Sequence, residues 1–369
     1  MTALIAELLP RYNAVVLGAG PSGSTVATAL ARGSLTVLMI EEQRKHTFKV
    51  GESLPGIARR VISGAGFPNV FRKVSQIKCS GNRSCWGSPK MRLRPGFIDP
   101  YGGGVHVDRA EFDEELVRES EAAGTKVLSG ARFLRSVRSK ASWSIFLRYG
   151  RQICNVECDS IVDCTGRRAC FARTQSIQRV VIDKQVAVVA VLSGQGVNDD
   201  DLTTTIETVP EGWWYSARIP NSRRVVVFFT DGDLLRKLHA RSSEGFSSLM
   251  RQSIHVRKFL SLPYRIERHP AIVLADTSYL TTAAGSGWCA AGDAAAALDP
   301  LGSSGIIDAV KSGSAAASLV LAGFKDIEGY SLMMSDKAKT NIKTRRSYYQ
   351  METRWPCAPF WARRRENRV

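Results

Sequence analysis

Short apolar runs alternate with amphipathic segments along the first part of the chain. Residues 13–17 (NAVVL) form a β-branched apolar run of the kind that becomes a strand buried on both faces. A glycine-rich turn, a helical stretch at residues 22–31 and a second buried strand at residues 35–40 follow it. This order predicts a βαβ unit with parallel strands, and therefore an α/β fold.

The turn GAGPSG after the first strand has the spacing of a loop that binds the pyrophosphate of a dinucleotide. Gly18 permits the tight turn, Gly20 lets a pyrophosphate approach the backbone, and Gly23 lets the helix pack closely on the strand. Pro21 and Ser22 begin the helix, whose N-terminus offers unpaired N–H groups and a positive dipole end. These five residues are predicted to bind a cofactor phosphate.

An acidic residue, Glu41, follows the second strand. It stands where such a side chain accepts both ribose hydroxyls of an adenosine. A glycine turn by itself is weak evidence, but strand, glycines, helix, strand and terminal acid within about 30 residues form a specific pattern. The alternative is a purely structural turn. The pattern alone does not distinguish FAD from NAD.

Three later segments carry further motifs. Asp108 is placed to cap the start of an amphipathic helix. Residues 161–167 (IVDCTGR) form a buried strand that breaks at a glycine turn. Residues 288–306 contain a strand that ends at Asp293, then a proline and a helix from about Ser303. Glycines and serines leave backbone N–H groups exposed where that helix begins.

Together with VGESLPG at residues 50–56, these segments resemble the superfamily of aromatic hydroxylases and flavin-dependent halogenases, from about residue 13 to residue 361. The shared motifs, in order, are GxGxxG, GES, DR, D-x-TGR and GD…DP…SSG. The resemblance implies FAD as the cofactor, with Asp293 on its ribitol chain and Arg109 along its pyrophosphate. The alternatives are a turn residue for Asp293 and a solvated helix charge for Arg109.

The resemblance also implies that the helix after the proline points its N-terminus at the pyrimidine edge of the flavin. A helix dipole there stabilises the negative charge of a reduced flavin. Gly305 and Ile306 are therefore predicted to bind the cofactor. The loop before them supplies the candidate catalytic residues at the flavin edge, which are Pro300, Gly302, Ser303 and Ser304.

Two stretches are similar to the flavoprotein maturases of tryptophylquinone-forming amino-acid oxidases, such as glycine and lysine oxidases. They are GWWYSARIP at residues 212–220 and the aromatic run at residues 348–361. The W-x-W-x-I-P signature of tryptophan halogenases is broken, so halogenation is disfavoured. Lys78 is the nearest candidate for their catalytic lysine, but it falls closer to the GES motif than in those enzymes. The alternative is a surface lysine.

The chain is expected to form two interleaved domains and C-terminal helices. A Rossmann-like FAD-binding domain of the aromatic-hydroxylase type is predicted at residues 1–75, 102–178 and 270–345. Runs rich in Val, Ile, Thr and Phe predict a mostly antiparallel sheet that covers the flavin, at residues 76–101 and 179–269. Helical periodicity returns at residues 243–260 and after residue 304, and residues 346–369 form a basic, aromatic tail.

The resemblance implies a flavin-dependent monooxygenase that hydroxylates a tryptophan of a partner oxidase precursor, with NAD(P)H as electron donor. The site of such a reaction must exclude water, so a covered apolar cavity is more important for this activity than a strong base. Two alternatives stay open. One is a hydroxylase, or less readily a halogenase, of a free small aromatic molecule. The other is a non-catalytic flavoprotein that assists assembly of the precursor.

Two further groups of residues are candidates for function. Residues 101–104 (YGGG) and His106 precede the DR motif and could approach a ring face; the alternative is an ordinary loop. Trp355, Phe360 and Trp361 could form a face that docks the partner protein. Alternatively, these aromatic residues attach the last helix to the body of the protein.

The composition narrows the class of protein. Lys and Arg number 51 against 34 Asp and Glu, a net charge of +17 that favours anionic partners, although no nucleic-acid-binding motif accompanies it. The apolar fraction of 44% excludes a disordered chain, and no apolar run is long enough to span a membrane. The opening segment lacks the pattern of a secretory signal, so a cytoplasmic protein is expected.

Cysteine spacing adds little. The eight cysteines include no CxxC pair and no histidine at zinc-ligand spacing, so reduced thiols and no metal site are expected. The oligomeric state is left open.

Overall fold

Two eight-stranded β-sheets, with helices packed beside them, make up most of the protein. The computed structural model describes residues 7–44, 49–267 and 270–365. The first six residues of the opening segment and the end of the basic tail, residues 366–369, lie outside the described residues. Within the described ranges, no helix combines the length and the apolar character needed to cross a membrane.

The helices are named here in chain order. They are α1 (Pro21–Arg32), α2 (Ile57–Gly64), α3 (Val70–Lys73), α4 (Arg109–Ala122), α5 (Ser243–Arg251), α6 (Gly305–Leu321), α7 (Ile327–Gln350) and α8 (Pro359–Arg365).

The strands are named in the same way. The first eleven are β1 (Arg11–Leu17), β2 (Val37–Glu41), β3 (Ser53–Leu54), β4 (Gln76–Lys78), β5 (Gly81–Cys85), β6 (Arg92–Pro95), β7 (Val105–Val107), β8 (Lys126–Ser129), β9 (Ala131–Arg138), β10 (Trp143–Tyr149) and β11 (Gln152–Asp163). The next eleven are β12 (Arg179–Val181), β13 (Gln185–Ser193), β14 (Thr203–Val209), β15 (Gly212–Ile219), β16 (Arg223–Asp231), β17 (Arg265–Ile266), β18 (Ala271–Leu274), β19 (Ser278–Leu280), β20 (Ala284–Gly285), β21 (Trp288–Ala290) and β22 (Ala296–Ala297).

The first sheet has the strand order β20-β21-β11-β1-β2-β8, and β9 and β10 extend it beside the first half of β11. Its central strands β11, β1, β2 and β8 run parallel, and α1 connects β1 to β2. Residues 14–17 of β1 are almost fully buried, as expected for a strand covered on both faces. The predicted βαβ unit is therefore present, with its helix starting at Pro21.

The second sheet has the strand order β17-β13-β16-β15-β14-β5-β6, with β18 also paired to β13. Every strand pair in it is antiparallel except β14 with β5. The four runs rich in Val, Ile, Thr and Phe form its centre, β13 to β16. Two smaller sheets have the strand orders β12-β19-β22 and β3-β7-β4.

The helix predicted at residues 243–260 is shorter in the structure than the sequence periodicity indicates. The periodicity at residues 243–260 predicts a continuous helix, but α5 ends at Arg251 and a 3₁₀ turn follows at Val256–Ser261. The carboxylate of Glu207 accepts the backbone N–H groups of residues 254, 255 and 256 at 2.5, 2.9 and 2.8 Å. These N–H groups are therefore withdrawn from helical hydrogen bonds, which ends the helix.

The aromatic tail packs against the second sheet. Phe360 and Trp361 are fully buried, and the Trp361 Nε1–H donates to the carbonyl of Val209 at 2.8 Å. The Trp213 Nε1–H of β15 donates to the Tyr349 hydroxyl of α7 at 3.1 Å. The hypothesis that Phe360 and Trp361 form a docking face is therefore wrong, because side chains without exposed surface cannot contact a partner.

A buried carboxylate fixes the same tail. Glu352 is fully buried and accepts the Thr208 hydroxyl at 2.6 Å, the Gly87 N–H at 2.9 Å and the Arg354 guanidinium at 2.7 Å. Burial opposes ionisation of this group, but the hydrogen bonds from Arg354 and Thr208 lower its pKa to about 2. The tail is thus joined to the second sheet by both apolar and charged contacts.

We expect the substitution Trp361→Ala to lower the free energy of unfolding by about 3–5 kcal/mol, the usual cost of removing a large buried aromatic side chain. Tyr348→Ala is the matched control, because half of the Tyr348 side chain is exposed; it should cost less than about 1 kcal/mol. Urea denaturation measures both values. Equal effects of the two substitutions would contradict the buried position of Trp361.

Candidate functional site

A cavity of about 790 Å³ lies between the two large sheets, within the size range of cofactor and ligand sites. Most of the predicted site residues line it: Gly18, Gly20, Pro21, Ser22, Glu41, Arg109, Asp293, Pro300, Ser303, Gly305 and Ile306. Four others, Gly23, Gly302, Ser304 and Lys78, are not part of its lining. Segments far apart in the sequence therefore meet at one site.

The glycine loop has one position that faces open space and two that do not. A Cβ atom on Gly18, whose φ is +100°, would lie 2.4 Å from the Cys164 carbonyl oxygen. A Cβ on Gly23 would lie 1.9 Å from the Gly18 carbonyl oxygen. A Cβ on Gly20 would meet no atom within 4 Å. Gly18 and Gly23 thus permit close packing, whereas the backbone at Gly20 is open to a ligand.

Glu41 is fixed at the carboxyl end of β2 beside this loop. Its two carboxylate oxygens accept the backbone N–H groups of Ala19 and Gln43, each at 3.0 Å. The side chain is half-buried and lines the cavity. This is the position that the sequence assigns to the ribose of an adenosine.

A second helix N-terminus faces the same cavity. Helix α6 begins at Gly305 and packs beside α1, and the first residues of both helices line the cavity. The predicted start at Ser303 is two residues early, because Ser303 has a positive φ of 47° and ends a 3₁₀ turn. Unpaired N–H groups and positive dipole ends of two helices are thus directed at one space, an arrangement suited to an anionic ligand.

The loop before α6 is held in place by the long helix α7. Asp299 accepts the Arg345 Nε–H at 2.7 Å and the Tyr349 hydroxyl at 3.1 Å with one oxygen, and the Leu301 N–H at 2.9 Å with the other. Arg345 also forms an ion pair with Asp183 at 2.7 Å. The role of Arg345 could not be predicted from the sequence, because nothing in the pattern of α7 links it to a residue 46 positions away.

Ser304 and Gly302, two of the predicted catalytic residues, contact other parts of the protein and do not line the cavity. The Ser304 hydroxyl donates to Asp308 at 2.6 Å, and Asp308 forms an ion pair with Lys337 at 2.7 Å. Gly302 faces Asn341 and Ser304 rather than the cavity. In this loop, Pro300 and Ser303 are the predicted catalytic positions that line the cavity.

Arg109 lines the cavity, but its donors are used within the protein. It donates to both carboxylate oxygens of Asp113 and to the Val50 carbonyl at 2.7 Å. Burial of Asp113 opposes its ionisation, yet the charges of Arg109 and Lys49 lower its pKa below the usual range. The DR arginine therefore fixes the start of the GES segment against helix α4.

Asp293 faces the cavity, where 42% of its side-chain surface is accessible. Its carboxylate lies 3.6 Å from the Arg167 Nε, and Arg179 donates to its backbone carbonyl at 2.8 Å. Although this surface faces the cavity, the surrounding protein desolvates the carboxyl and raises the pKa of Asp293 despite these neighbouring cations. Arg167 also bonds to the Asp276 and Leu298 carbonyls, so the TGR arginine joins three segments of the cavity wall.

The D-x-TGR aspartate shapes the adjoining loop. Asp163 is fully buried and accepts the Thr165 hydroxyl at 2.6 Å. It also accepts the backbone N–H groups of Thr165, Phe171 and Ala172 at 3.0, 2.8 and 2.9 Å. These four bonds satisfy the carboxylate and fold the loop so that residues 164–168 line the cavity.

The second sheet supplies an apolar wall. Trp213 and Phe229 line the cavity and stack with their ring centroids 3.9 Å apart. Tyr215 lines it as well and interacts with Glu52, a carboxyl that is 1% exposed and accepts the Gly51 N–H at 2.8 Å. Burial raises the pKa of Glu52 above its ordinary value, although the Tyr215 hydroxyl and the charge of Arg109 oppose this shift.

His106 lies behind the cavity wall. It is fully buried, and its Nε2 lies 3.1 Å from the Thr204 hydroxyl, which lies 3.2 Å from the hydroxyl of the cavity-lining Ser53. Residues 101–104 also lie outside the lining, and Tyr101 is half exposed. The hypothesis that this glycine run and His106 contact a ring face is therefore wrong, because neither residues 101–104 nor His106 reaches the cavity lining.

Lys78 is exposed at the end of β4, where it pairs with Val105. It lies outside the cavity lining, so the structure does not bring it to the other predicted catalytic residues. A surface lysine is the description that fits these observations.

No protein-family model matches the chain. The chain is 26% identical over 357 residues to LodB of Marinomonas mediterranea, which is described as an FAD-dependent oxidoreductase, and the match covers 96% of each protein.

Among solved structures, the flavin-dependent halogenase CmlS has a TM-score of 0.84 at 20% identity, covering 98% of this chain and 69% of CmlS. The peptidyl tryptophan dihydroxylase QhpG, essential for tryptophylquinone cofactor biogenesis, has a TM-score of 0.76 at 20% identity, covering 97% of this chain and 80% of QhpG. The predicted fold class is confirmed. The predicted resemblance is supported, because the chain is similar to LodB in sequence and to CmlS and QhpG in fold.

We expect the substitution Gly20→Val to reduce FAD affinity at least tenfold, because its side chain occupies the open space beside α1. The FAD-free protein should keep its unfolding temperature. Gly23→Val is the contrasting control, since its Cβ collides with the Gly18 carbonyl and should destabilise even the FAD-free protein by roughly 1–3 kcal/mol. Fluorescence titration with FAD and thermal unfolding separate the two effects. Unchanged FAD affinity of Gly20→Val would contradict this assignment of the loop.

Burial and the nearby Arg224 lower the pKa of His106 to about 4, whereas an unfolded histidine titrates near 6.5. Between these values the unfolded state binds a proton that the folded state does not, so stability falls as the pH falls from about 6.5 to 4. The difference in unfolding free energy between the wild type and His106→Gln should therefore shrink by about 2 kcal/mol from pH 7 to pH 5. Denaturation series at both pH values measure this difference, and a constant difference would disprove it.

Proposed function

Because the chain shares the fold and sequence pattern of FAD-dependent, halogenase-like flavoproteins, we propose that it is an FAD-dependent monooxygenase that hydroxylates a tryptophan of a partner oxidase precursor. The product is an intermediate in the biogenesis of a tryptophylquinone cofactor. NAD(P)H supplies the two electrons, one atom of O2 enters the tryptophan ring, and the other leaves as water. A proton from solvent completes the balance.

A single observation carries this proposal. The N-termini of α1 and α6 and the apolar wall of Trp213 and Phe229 meet in one cavity. The helix ends suit a ligand that places a pyrophosphate at one helix and a polar heterocycle at the other. The wall suits an aromatic substrate that must react away from water. A dinucleotide flavin and an indole ring together have these properties.

The relatives support the same assignment. LodB is described as an FAD-dependent oxidoreductase, and the chain matches nearly the whole of it. QhpG is a peptidyl tryptophan dihydroxylase of tryptophylquinone biogenesis. These descriptions support FAD as the cofactor and a protein-bound tryptophan as the substrate. The resemblance to halogenases extends to the fold, but the tryptophan-halogenase signature in β15 is broken.

The residues around the cavity fit FAD. The N–H groups after Gly20 would bind the pyrophosphate, and Glu41 would accept the adenosine ribose hydroxyls. Asp293 would hold the ribitol chain, oriented by Arg167. The first turn of α6 would lie at the pyrimidine edge and stabilise negative charge there. Arg109 would act indirectly, by fixing the segment from Val50 to Gly51.

When bound and reduced, FAD would supply the electrons that activate O2, and O2 would be the source of the transferred oxygen atom. The protein's own contribution is to orient the indole and exclude water. Phe229 and Tyr215 line the cavity and would face the indole, whereas Trp213, which is 1% exposed, would support this wall from behind. The Tyr215 hydroxyl, coupled to Glu52, would hydrogen-bond to the indole. Pro300 and Ser303 would complete the wall at the reacting edge.

We expect co-expression with this protein to add one or more oxygen atoms to a tryptophan of its oxidase precursor. Asp293→Ala should abolish this mass gain, because the cofactor loses a partner, while pull-down of the precursor is retained. Mass spectrometry of the precursor, expressed with the wild type, the variant or no partner, measures the modification.

Asp336→Ala is the matched control, since Asp336 is an exposed carboxylate on α7 and its removal should leave the mass gain intact. A precursor that binds both the wild type and Asp293→Ala but never gains mass would favour an assembly chaperone. Oxidation of NADH that is accelerated by a free indole and not by the precursor would favour a small aromatic substrate.

A further inference from the structure

The two edges of the second sheet differ in chemistry. The edge strand β6 carries Arg92 and Arg94 and ends at Pro95, the features by which proteins block the addition of another strand. The opposite edge strand, β18, has the sequence AIVL, without charge or proline, and all four of its residues are exposed. An uncharged apolar edge of this kind is a template for pairing with another polypeptide.

The backbone of β18 has free groups on its outer side. Ala275 donates its N–H to the Gln185 carbonyl at 3.0 Å, and the register pairs Val186 with Leu274. In an antiparallel pair, every second residue of an edge strand directs its N–H and C=O groups to the partner strand. Ala271 and Val273 therefore bond to β13. Ile272 and Leu274 direct their backbone groups outward. Among the described residues, β13 is the strand that pairs with β18, and its outer side faces none.

This edge borders the cavity. Val273 and Leu274 line the cavity, as does Ala275 directly after the strand. Ile272 and Leu274 are 36% and 63% exposed, so the edge also offers apolar contacts. A strand added here would run along the cavity rim. Its side chains would alternate between the two faces, so that one of them could enter the cavity.

We propose that Ala271–Leu274 binds an extended segment of the protein substrate by strand addition and so presents the target tryptophan to the cavity. The outward N–H and C=O groups of Ile272 and Leu274 match the hydrogen-bonding pattern of an extended peptide main chain. A free small molecule has no such repeating pattern of donors and acceptors. Recognition by the main chain fixes the depth and direction of the peptide, whereas the cavity selects its aromatic side chain. This inference rests on the proposed function.

A proline at position 272 tests the proposed hydrogen bond between the Ile272 N–H and the main chain of the substrate peptide. Ile272→Pro removes an outward N–H and no inward one, because the inward bonds of β18 come from residues 271 and 273. Ile272→Ala removes the same apolar side chain but keeps the N–H. We expect roughly a tenfold lower kcat/KM for the precursor with Ile272→Pro than with Ile272→Ala, the worth of one hydrogen bond. The flavin absorbance and unfolding temperature of both variants report whether they fold.

Hydrogen exchange on the wild-type protein gives an independent test. Adding a synthetic peptide that spans the precursor's modified tryptophan should slow exchange of the Ile272 and Leu274 amides, and those of β6 should not change. The same peptide, N-methylated at alternate residues, should give no protection.

Equal kcat/KM values for the two Ile272 variants, together with unprotected β18 amides, would overturn strand addition while leaving the proposed function intact. Protection that rises with protein concentration without peptide would instead identify a second copy of this chain as the occupant. A wild-type protein that never modifies the precursor would refute the proposed function itself.

Discussion

The convergence of two helix N-termini on one cavity is the constraint on which the rest of the structure depends. Helix α1 reaches this position because Gly23 lets its first turn pack directly on the Gly18 carbonyl. Helix α6 reaches it because Asp299, held by Arg345 and Tyr349, fixes the loop before it. Two positive dipole ends that face the same space repel each other, and an anionic molecule bound between them offsets this repulsion. The geometry therefore favours one long ligand that places negative charge at both helix ends.

The second sheet and the tail serve the other half of the same cavity. β13, β15 and β16 present an apolar face to it, and α7 and α8 cover the sheet nearby. Tyr349 joins the two halves of the cavity wall, because its hydroxyl accepts a hydrogen bond from Trp213 of the second sheet and donates one to Asp299 in the loop before α6. The aromatic tail thus connects the wall that would face the substrate to the helix that would face the flavin, which explains why its large side chains are buried.

Local sequence patterns predict much of the fold and the cavity lining. The features that they do not predict depend on contacts between residues far apart in the sequence. The βαβ unit, the Asp108 cap and the four central strands of the second sheet follow from periodicity and turn chemistry within short windows. The end of α5 could not be predicted, because Glu207, far away in sequence, takes its continuing N–H groups. The resemblance implies that Arg109 lies along the pyrophosphate, yet its donors are engaged by Asp113 and Val50. Its bonding partners depend on tertiary packing, which a motif does not specify.

The central claim is that one FAD molecule bridges α1 and α6. A crystal structure of the protein with FAD tests it most directly. We expect the pyrophosphate oxygens to accept hydrogen bonds from N–H groups in the first turn of α1, and the pyrimidine edge of the isoalloxazine to contact the first turn of α6. An FAD molecule bound away from either helix, or a cavity closed by side chains with no flavin in it, would contradict the account.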